Sequence, residues 1–150
     1  MKINIDTLVY AIDFFKEDYF NENKFKKLIR TKGMKVFLDH ERTRGRDINI
    51  RKELEKLMLN SNYRDAYGLY KIKENIKYLE EDVKNIKIKE KYIIEKSIER
   101  VYKIVPKDMK LKCKIYLFLG GEDGGFTVSR NRIYINYIYY INNIDRKSVV

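Results

Sequence analysis

The chain contains the stretch Ile115-Tyr-Leu-Phe-Leu-Gly-Gly-Glu-Asp-Gly-Gly-Phe126, which holds four of the chain's seven glycines within six residues. An apolar, β-prone run precedes the glycines, and two short runs of alternating residues follow them. Glycines this dense between strands indicate a backbone that turns sharply or approaches another group closely. We therefore expect any chemistry of this chain to lie near this motif.

The spacing of apolar residues changes at Pro106. Before this proline they recur at the helical period of about 3.6 residues, and after it they alternate as in strands. The strands are predicted at 112–119, 126–129 and 132–136. The sequence thus predicts an α+β fold, in which a helical N-terminal two-thirds precedes a small, mostly antiparallel sheet of about three strands. We divide it into a helical region, 1–105, and a sheet region, 106–150, as one incomplete domain.

Capping residues place the ends of the helices. Residues with N-cap chemistry precede helical patterns at Asp6, at Asn21 or Asn23, and at Asn49. Gly33 is expected to end the second helix, and the polar segment 41–47 is predicted to be a loop. Two long helices, 63–85 and 89–104, are expected to pack as an antiparallel hairpin that joins near 86–88.

The composition bounds the class of protein. A chain of 150 residues with 44% hydrophobic residues can bury a core, and no apolar run approaches the roughly 18 residues that span a bilayer. The start of the chain does not resemble a signal peptide. The single cysteine, Cys113, excludes an internal disulfide and is expected to be buried or half-buried. We therefore expect a cytoplasmic protein that does not enter the membrane.

The formal net charge of +11 has two explanations. It could attract nucleic acid or an acidic protein, which would make the chain a basic helical binding module. The abundance of Lys, Ile, Asn and Tyr is also what AT-rich coding produces, and the basic residues are mixed with acids along the chain. A third alternative is a small structural protein without an enzymatic role.

The glycine motif and the only histidine were compared with known sites. The motif lacks the Lys-Ser/Thr of a phosphate loop and the alternating oxygen ligands of a calcium loop, so a glycine-rich hairpin loop is the simplest interpretation. The adjacent acids Glu122 and Asp123 are a weak candidate for an acid–base pair. His40-Glu41 begins like HExxH, but the fifth residue is Arg44, which cannot bind zinc. His40 is therefore expected to be a surface or loop residue.

The order of strand, Gly-Gly-x-x-Gly-Gly-Phe, strand and Ile-x-Ile-Asn over residues 112–136 resembles one known family. It is similar to the segment just upstream of the metal motif in bacterial zinc-dependent peptidases with the gluzincin (thermolysin-like) arrangement. In that family a Gly-Gly-Phe strand forms the edge of the sheet above the active-site cleft, and a later helix carries HExxH. No HExxH is present in these 150 residues, so the resemblance assigns no catalytic or metal-binding residue.

The resemblance implies a truncated or split N-terminal part of a zinc metallopeptidase, inactive alone and without a cofactor, since zinc is expected only in a full-length relative. It also implies that an edge strand binds an extended peptide. The substrate-binding candidates are Gly124, Gly125, Phe126 and Thr127. If a C-terminal half is missing, it or a second copy would cover an apolar sheet face. The residues expected on that face are Ile133, Ile135, Tyr137, Ile138 and Ile141.

Overall fold

The computed structural model describes residues 2–106, 108, 110, 112–129 and 131–139. The helices are α1 (Asp6–Phe15), α2 (Glu22–Ile29), α3 (Lys32–Thr43), α4 (Ile50–Leu59), α5 (Tyr70–Glu74) and α6 (Ile76–Val101). The strands are β1 (Lys2–Asn4), β2 (Lys114–Phe118), β3 (Gly125–Ser129) and β4 (Arg132–Asn136). In the described part of the chain, the six named helices precede three of the four strands, so the predicted α+β class is confirmed.

The sheet differs from the prediction in strand number and in direction. It has four strands in the order β1-β2-β4-β3. The pairs β1–β2 and β2–β4 are parallel, and only β3–β4 is antiparallel. The prediction of a mostly antiparallel sheet is therefore wrong. The three-residue β1 is too short to show the alternating pattern of a strand. β2 and β4 pair in parallel because of the path that the chain takes between them, and local sequence patterns do not encode that path.

The prediction of two long helices is only partly correct. A single helix, α6, runs for 26 residues from Ile76 to Val101 without a hairpin. The residues at 86–88 are Ile-Lys-Ile, which contain no glycine or proline to end a helix. Gly68 lies in a turn before α5 with a φ of 79°. The predicted helical hairpin is thus replaced by one long helix.

The N-cap predictions hold at two helices. The side chains of Asn21 and Asn49 accept hydrogen bonds from Lys24 N and Lys52 N, as N-caps do. Asp6, by contrast, lies in the first turn of α1, because Ile5 occupies the N-cap position. The predicted loop 41–47 is also shorter, since α3 continues to Thr43.

Gly33 does not end a helix but lies in the first turn of α3, where α3 packs against both α1 and β2. A Cβ atom at this position would lie 2.4 Å from Thr7 Oγ1, 2.9 Å from the carbonyl oxygen of Leu117 and 3.0 Å from Phe118 Cβ. Thr7 is held in place by a 2.9 Å hydrogen bond to Thr31 Oγ1, the N-cap of α3. Glycine is therefore required by close packing and not by helix termination.

The hydrophobic core takes buried residues from all six named helices and from β2 and β4. Its fully buried members include Leu8 and Phe14 of α1, Phe37 of α3, Leu79 of α6 and Phe118 of β2. Of the apolar residues expected on an open sheet face, Ile138 is buried, Ile135 and Tyr137 are half-buried, and Ile133 is 37% exposed. Ile141 lies outside the described residues. Cys113 is half-buried, as predicted.

No helix in the described part of the chain is both long enough and apolar enough to cross a membrane.

We expect Gly33→Ala to lower the free energy of unfolding by about 1–3 kcal/mol, because the added methyl group overpacks the junction of α1, α3 and β2. The matched control is Lys32→Ala on the exposed neighbouring residue, which should change stability by less than about 0.5 kcal/mol. Urea unfolding followed by circular dichroism measures both. Equal stability of the two variants would contradict the close packing described for Gly33.

Candidate functional site

The glycine motif forms a loop, residues 119–124, that we call the glycine loop. It links β2 to β3, and these two strands lie on opposite sides of β4 in the sheet. The glycine loop therefore passes over the C-terminal end of β4 and is not the turn of a hairpin, as the simplest interpretation of the sequence held. The hairpin turn of this region lies between β3 and β4.

The side chain of Asn136, the last residue of β4, holds the glycine loop in place. Its Nδ2 group donates to the carbonyl oxygens of Gly120 at 2.9 Å, Gly121 at 3.1 Å and Asp123 at 3.0 Å. Its Oδ1 atom accepts from the backbone N–H groups of Gly120 and Ile138, both at 3.2 Å. Asn136 is fully buried, so a single carboxamide satisfies most of the polar backbone at this turn.

The four glycines of the motif are explained by contacts within the chain. Gly120 and Gly121 have φ angles of 121° and 87°, which disfavour any other residue. A Cβ atom at Gly120 would lie 2.7 Å from the ring of Phe37, and one at Gly125 would lie 2.8 Å from the carbonyl oxygen of Tyr134. The space beside Gly124 is occupied by the ring of Tyr139, at 3.2 Å. The close approach that the motif predicts is thus made by the protein itself.

The glycine loop brings Asp123 to the C-terminal part of α3. Its Oδ2 atom lies 2.8 Å from His40 Nε2 and 2.9 Å from Arg44 Nη1. Because an ionised carboxylate only accepts hydrogen bonds, His40 carries its proton on Nε2. The hydrogen bond from His40, with the positive charge of Arg44, lowers the pKa of Asp123 below its ordinary value. His40, expected at the surface or in a loop, instead lies on a helix with a side chain that is 27% exposed.

An aromatic row crosses the same face of the sheet. The ring of His40 stacks on Phe126 with centroids 4.0 Å apart and planes 12° apart. Phe126 stacks on Tyr134 at 5.7 Å, and Tyr134 stacks on Tyr116 at 5.1 Å. These rings come from α3, β3, β4 and β2, so the row ties the edge strand β3 to the sheet centre and to α3.

The backbone of β3 offers hydrogen-bonding groups at one margin of the sheet. In the antiparallel pair, Asn136 N donates to the carbonyl oxygen of Gly124 at 2.9 Å. Hydrogen-bonded and non-hydrogen-bonded pairs alternate along such a ladder. Gly125 and Thr127, opposite Ile135 and Ile133, therefore direct their N–H and C=O groups away from β4. Both residues are exposed, and no described strand lies beyond them.

The other edge strand of the sheet, β1, forms a hydrogen bond on its outer side. Its Ile3 N–H donates to Glu90 Oε1 of α6 at 2.9 Å. The long helix therefore supplies a side-chain acceptor along this edge, as native sheets often do to protect a margin. Of the two edges, β3 is the one whose outward groups have no such partner among the described residues.

The predicted substrate-binding residues thus occupy distinct environments. Gly125 and Thr127 face outward along the edge, Phe126 is half-buried in the aromatic row, and Gly124 lies beneath Tyr139. Whether they bind a peptide stays a prediction. Asn136 was missed as the organising residue. In the sequence, Asn136 is an amide residue at the end of the alternating run of β4. That pattern does not show whether the residue is buried or exposed.

The chain matches the family described as "Putative zinc dependent peptidase (DUF5700)" over residues 25–150. This chain belongs to that family. No match was found among curated proteins or among solved structures. The matched range includes α3, the glycine loop and β4, so the site described above lies within the family's region of similarity.

The described residues of this family member do not fit a zinc ion. No three His, Cys, Asp or Glu side chains among them lie close enough to share a metal. The one histidine uses its Nε2 atom to hold Asp123, and Asp123 is also bonded to Arg44, a cation that opposes metal binding. In the described part of the chain, no hydroxyl or thiol bonds to the His40 ring. The His40–Asp123 hydrogen bond joins the glycine loop to α3.

We expect Asn136→Asp to lower the free energy of unfolding by about 3 kcal/mol or more. The change places a buried carboxylate against three carbonyl oxygens and removes the donor that they share. Asn85→Asp makes the same chemical change on the exposed face of α6 and should cost less than about 0.5 kcal/mol. Chemical denaturation of the two variants checks this. A small effect of Asn136→Asp would show that the loop does not depend on the carboxamide.

Because the folded protein lowers the pKa of Asp123, the ionised carboxylate stabilises the fold. This contribution is complete above the ordinary value of 3.8 and is lost as the pH falls through the lower pKa of the folded state. We expect the stability difference between the wild type and Asp123→Asn to shrink as the pH falls below 3.8.

Urea unfolding from about pH 6 to about pH 2 measures this difference. Asp18→Asn, at an exposed residue that forms no ion pair within the described ranges, is the control. A difference that stays constant over this range would contradict the role of the ionised Asp123 carboxylate. Because the Asp123 side chain is 45% exposed, we expect the difference to be small at any pH.

Proposed function

We propose that this member of the zinc-dependent peptidase family binds an extended peptide along the outer edge of β3. The peptide would add a fifth strand to the sheet by main-chain hydrogen bonds to Gly125 and Thr127. The observation that carries the proposal is the direction of these backbone groups, which follows from the bond between Asn136 and Gly124. The proposal assigns peptide binding to the described residues and assigns them no metal chemistry.

The local structure supports a rigid edge. The aromatic row fixes Phe126 from both sides, by the His40 ring on one side and by Tyr134 on the other. Asn136 fixes the start of β3 through the glycine loop. A strand held in this way loses little conformational entropy when a peptide pairs with it, which favours binding.

The side chains beside the edge indicate which peptides would fit. Thr127 and its cross-strand neighbour Ile133 are both exposed on one face, where Ile133 retains 37% of its surface. A β-branched or apolar peptide side chain placed beside Thr127 would cover part of this surface. On the other face, the polar His40 ring stacks on Phe126 and would favour a polar residue. We therefore expect alternating apolar and polar peptides to bind best.

Family membership favours this function over the other two that the sequence left open. A basic helical module for nucleic acid or an acidic protein rests only on net charge, and a structural protein without an enzymatic role rests on no particular residue. The peptide-binding proposal instead uses the region that the family shares, residues 25–150.

Thr127→Pro tests the proposal directly. Proline removes the outward N–H group of Thr127, which the β3–β4 ladder does not use, so the fold should persist as it does at other edge prolines. We expect binding of a fluorescent octapeptide of alternating Val and Glu to weaken by about tenfold or more. Thr127→Val keeps the N–H group and should bind within about twofold of the wild type. Fluorescence anisotropy measures all three proteins.

The peptide itself supplies a second test that needs no change in the protein. N-methylation of every other residue blocks the hydrogen bonds on one edge of the peptide only, so one of the two methylated frames should bind and the other should not. Equal binding of both frames, or equal binding of Thr127→Pro and Thr127→Val, would overturn the proposal.

A further inference from the structure

Three cations lie side by side at the N-terminal end of the parallel strands. The register pairs Lys2 of β1 with Lys114 of β2, and Lys114 with Arg132 of β4. Residues paired in this way point to the same face of the sheet, about 4.8 Å from one strand to the next. We call Lys2, Lys114 and Arg132 the cationic row. Like charges directly opposite one another on a sheet face repel, so the row needs a counter-charge.

The described part of the chain does not supply that counter-charge. Some basic residues elsewhere are paired, as Lys24 is with Glu17 and Arg64 is with Glu74. None of the three residues of the cationic row forms an ion pair within the ranges that the structure describes. The register therefore places three cations, without an ion pair among the described residues, next to one another at one end of the sheet.

The cationic row lines a cleft with a volume of about 1040 Å³. This is the size of pockets that hold a small organic ligand rather than a lone ion. Lys112 adds a fourth cation to the lining, and Asp6 is the only carboxylate among the described residues that line the cleft. The Asp6 carboxylate accepts a hydrogen bond of 3.4 Å from Asn4 Nδ2. The cleft thus combines an open volume with an excess of positive charge.

We propose that this cleft binds a small ligand that carries a chain of two or more phosphates. The three cations extend over about 10 Å. One phosphate group cannot contact all three, whereas a chain of two or more phosphates can reach from one end of the row to the other. The planar guanidinium of Arg132 suits a phosphate that accepts two parallel hydrogen bonds, and the lysines act as point charges along the chain. The half-buried Tyr116 in the cleft lining offers an apolar surface beside the charges.

The site is separate from the proposed peptide-binding edge. Gly125 lies at the glycine-loop end of β3 and Thr127 at its middle, whereas the cationic row lies at the other end, where Ser129 pairs with Arg132. Neither Gly125 nor Thr127 is among the described residues that line the cleft. Thr127→Pro should therefore leave phosphate binding unchanged. The two proposals can fail independently.

Isothermal titration of the full chain with sodium tripolyphosphate, at constant ionic strength, tests the proposal. We expect the double variant Lys114→Gln, Arg132→Gln to bind at least about tenfold more weakly than the wild type. The double variant Lys26→Gln, Lys27→Gln removes the same charge from the exposed surface of α2 and should bind within about twofold. Circular dichroism of each variant checks that the fold is retained.

Several outcomes would overturn the proposal. They are no binding of tripolyphosphate to the wild type, an equal loss in both double variants, or binding of citrate as tight as that of tripolyphosphate. Tighter binding of a single-stranded oligonucleotide that depends on Lys114 and Arg132 would also overturn it, in favour of nucleic acid. If the single variant Arg132→Gln binds tripolyphosphate as tightly as the wild type, the role assigned to the guanidinium is rejected.

Discussion

The buried carboxamide of Asn136 is the interaction on which the C-terminal half of this structure depends. A side chain at this position must donate to three carbonyl oxygens and also accept from two N–H groups, and an amide, with its NH2 group and carbonyl oxygen, does both. Its Nδ2 hydrogens are shared among the carbonyls of Gly120, Gly121 and Asp123, while Oδ1 accepts from Gly120 and Ile138. Without it, these backbone groups would be buried and unpaired.

The position of the glycine loop has consequences on both sides of β4. On one side, the loop directs Asp123 to His40 and Arg44, which joins the loop to α3. On the other side, it delivers the chain to the outer margin of the sheet, where β3 pairs with β4 only. The same turn therefore builds a clamp on a helix and leaves one edge of the sheet with outward backbone groups.

The two edge strands of the sheet, β1 and β3, differ in how their outer sides are covered, and this difference supports the proposed function. β1 is short and is bonded to Glu90 of the long helix α6. β3 is longer, is fixed by the aromatic row, and has no helix bonded along its outer side within the described residues. Edges that are left open in native proteins are a hazard unless a partner uses them, and the peptide that we propose for β3 would be such a partner.

Local patterns in the sequence determined the α+β class, the N-caps at Asn21 and Asn49, the three strands near the C-terminus and the importance of the glycine motif. These features depend on residues a few positions apart, such as a cap and its first turn. The aromatic row, the His40–Asp123 bond across 83 residues, the parallel pairing of β2 with β4 and the cationic row were decided only by the tertiary structure. Each joins residues that are distant in the sequence, and their proximity follows from how the chain crosses β4 and packs α3 against the sheet, which no local period encodes.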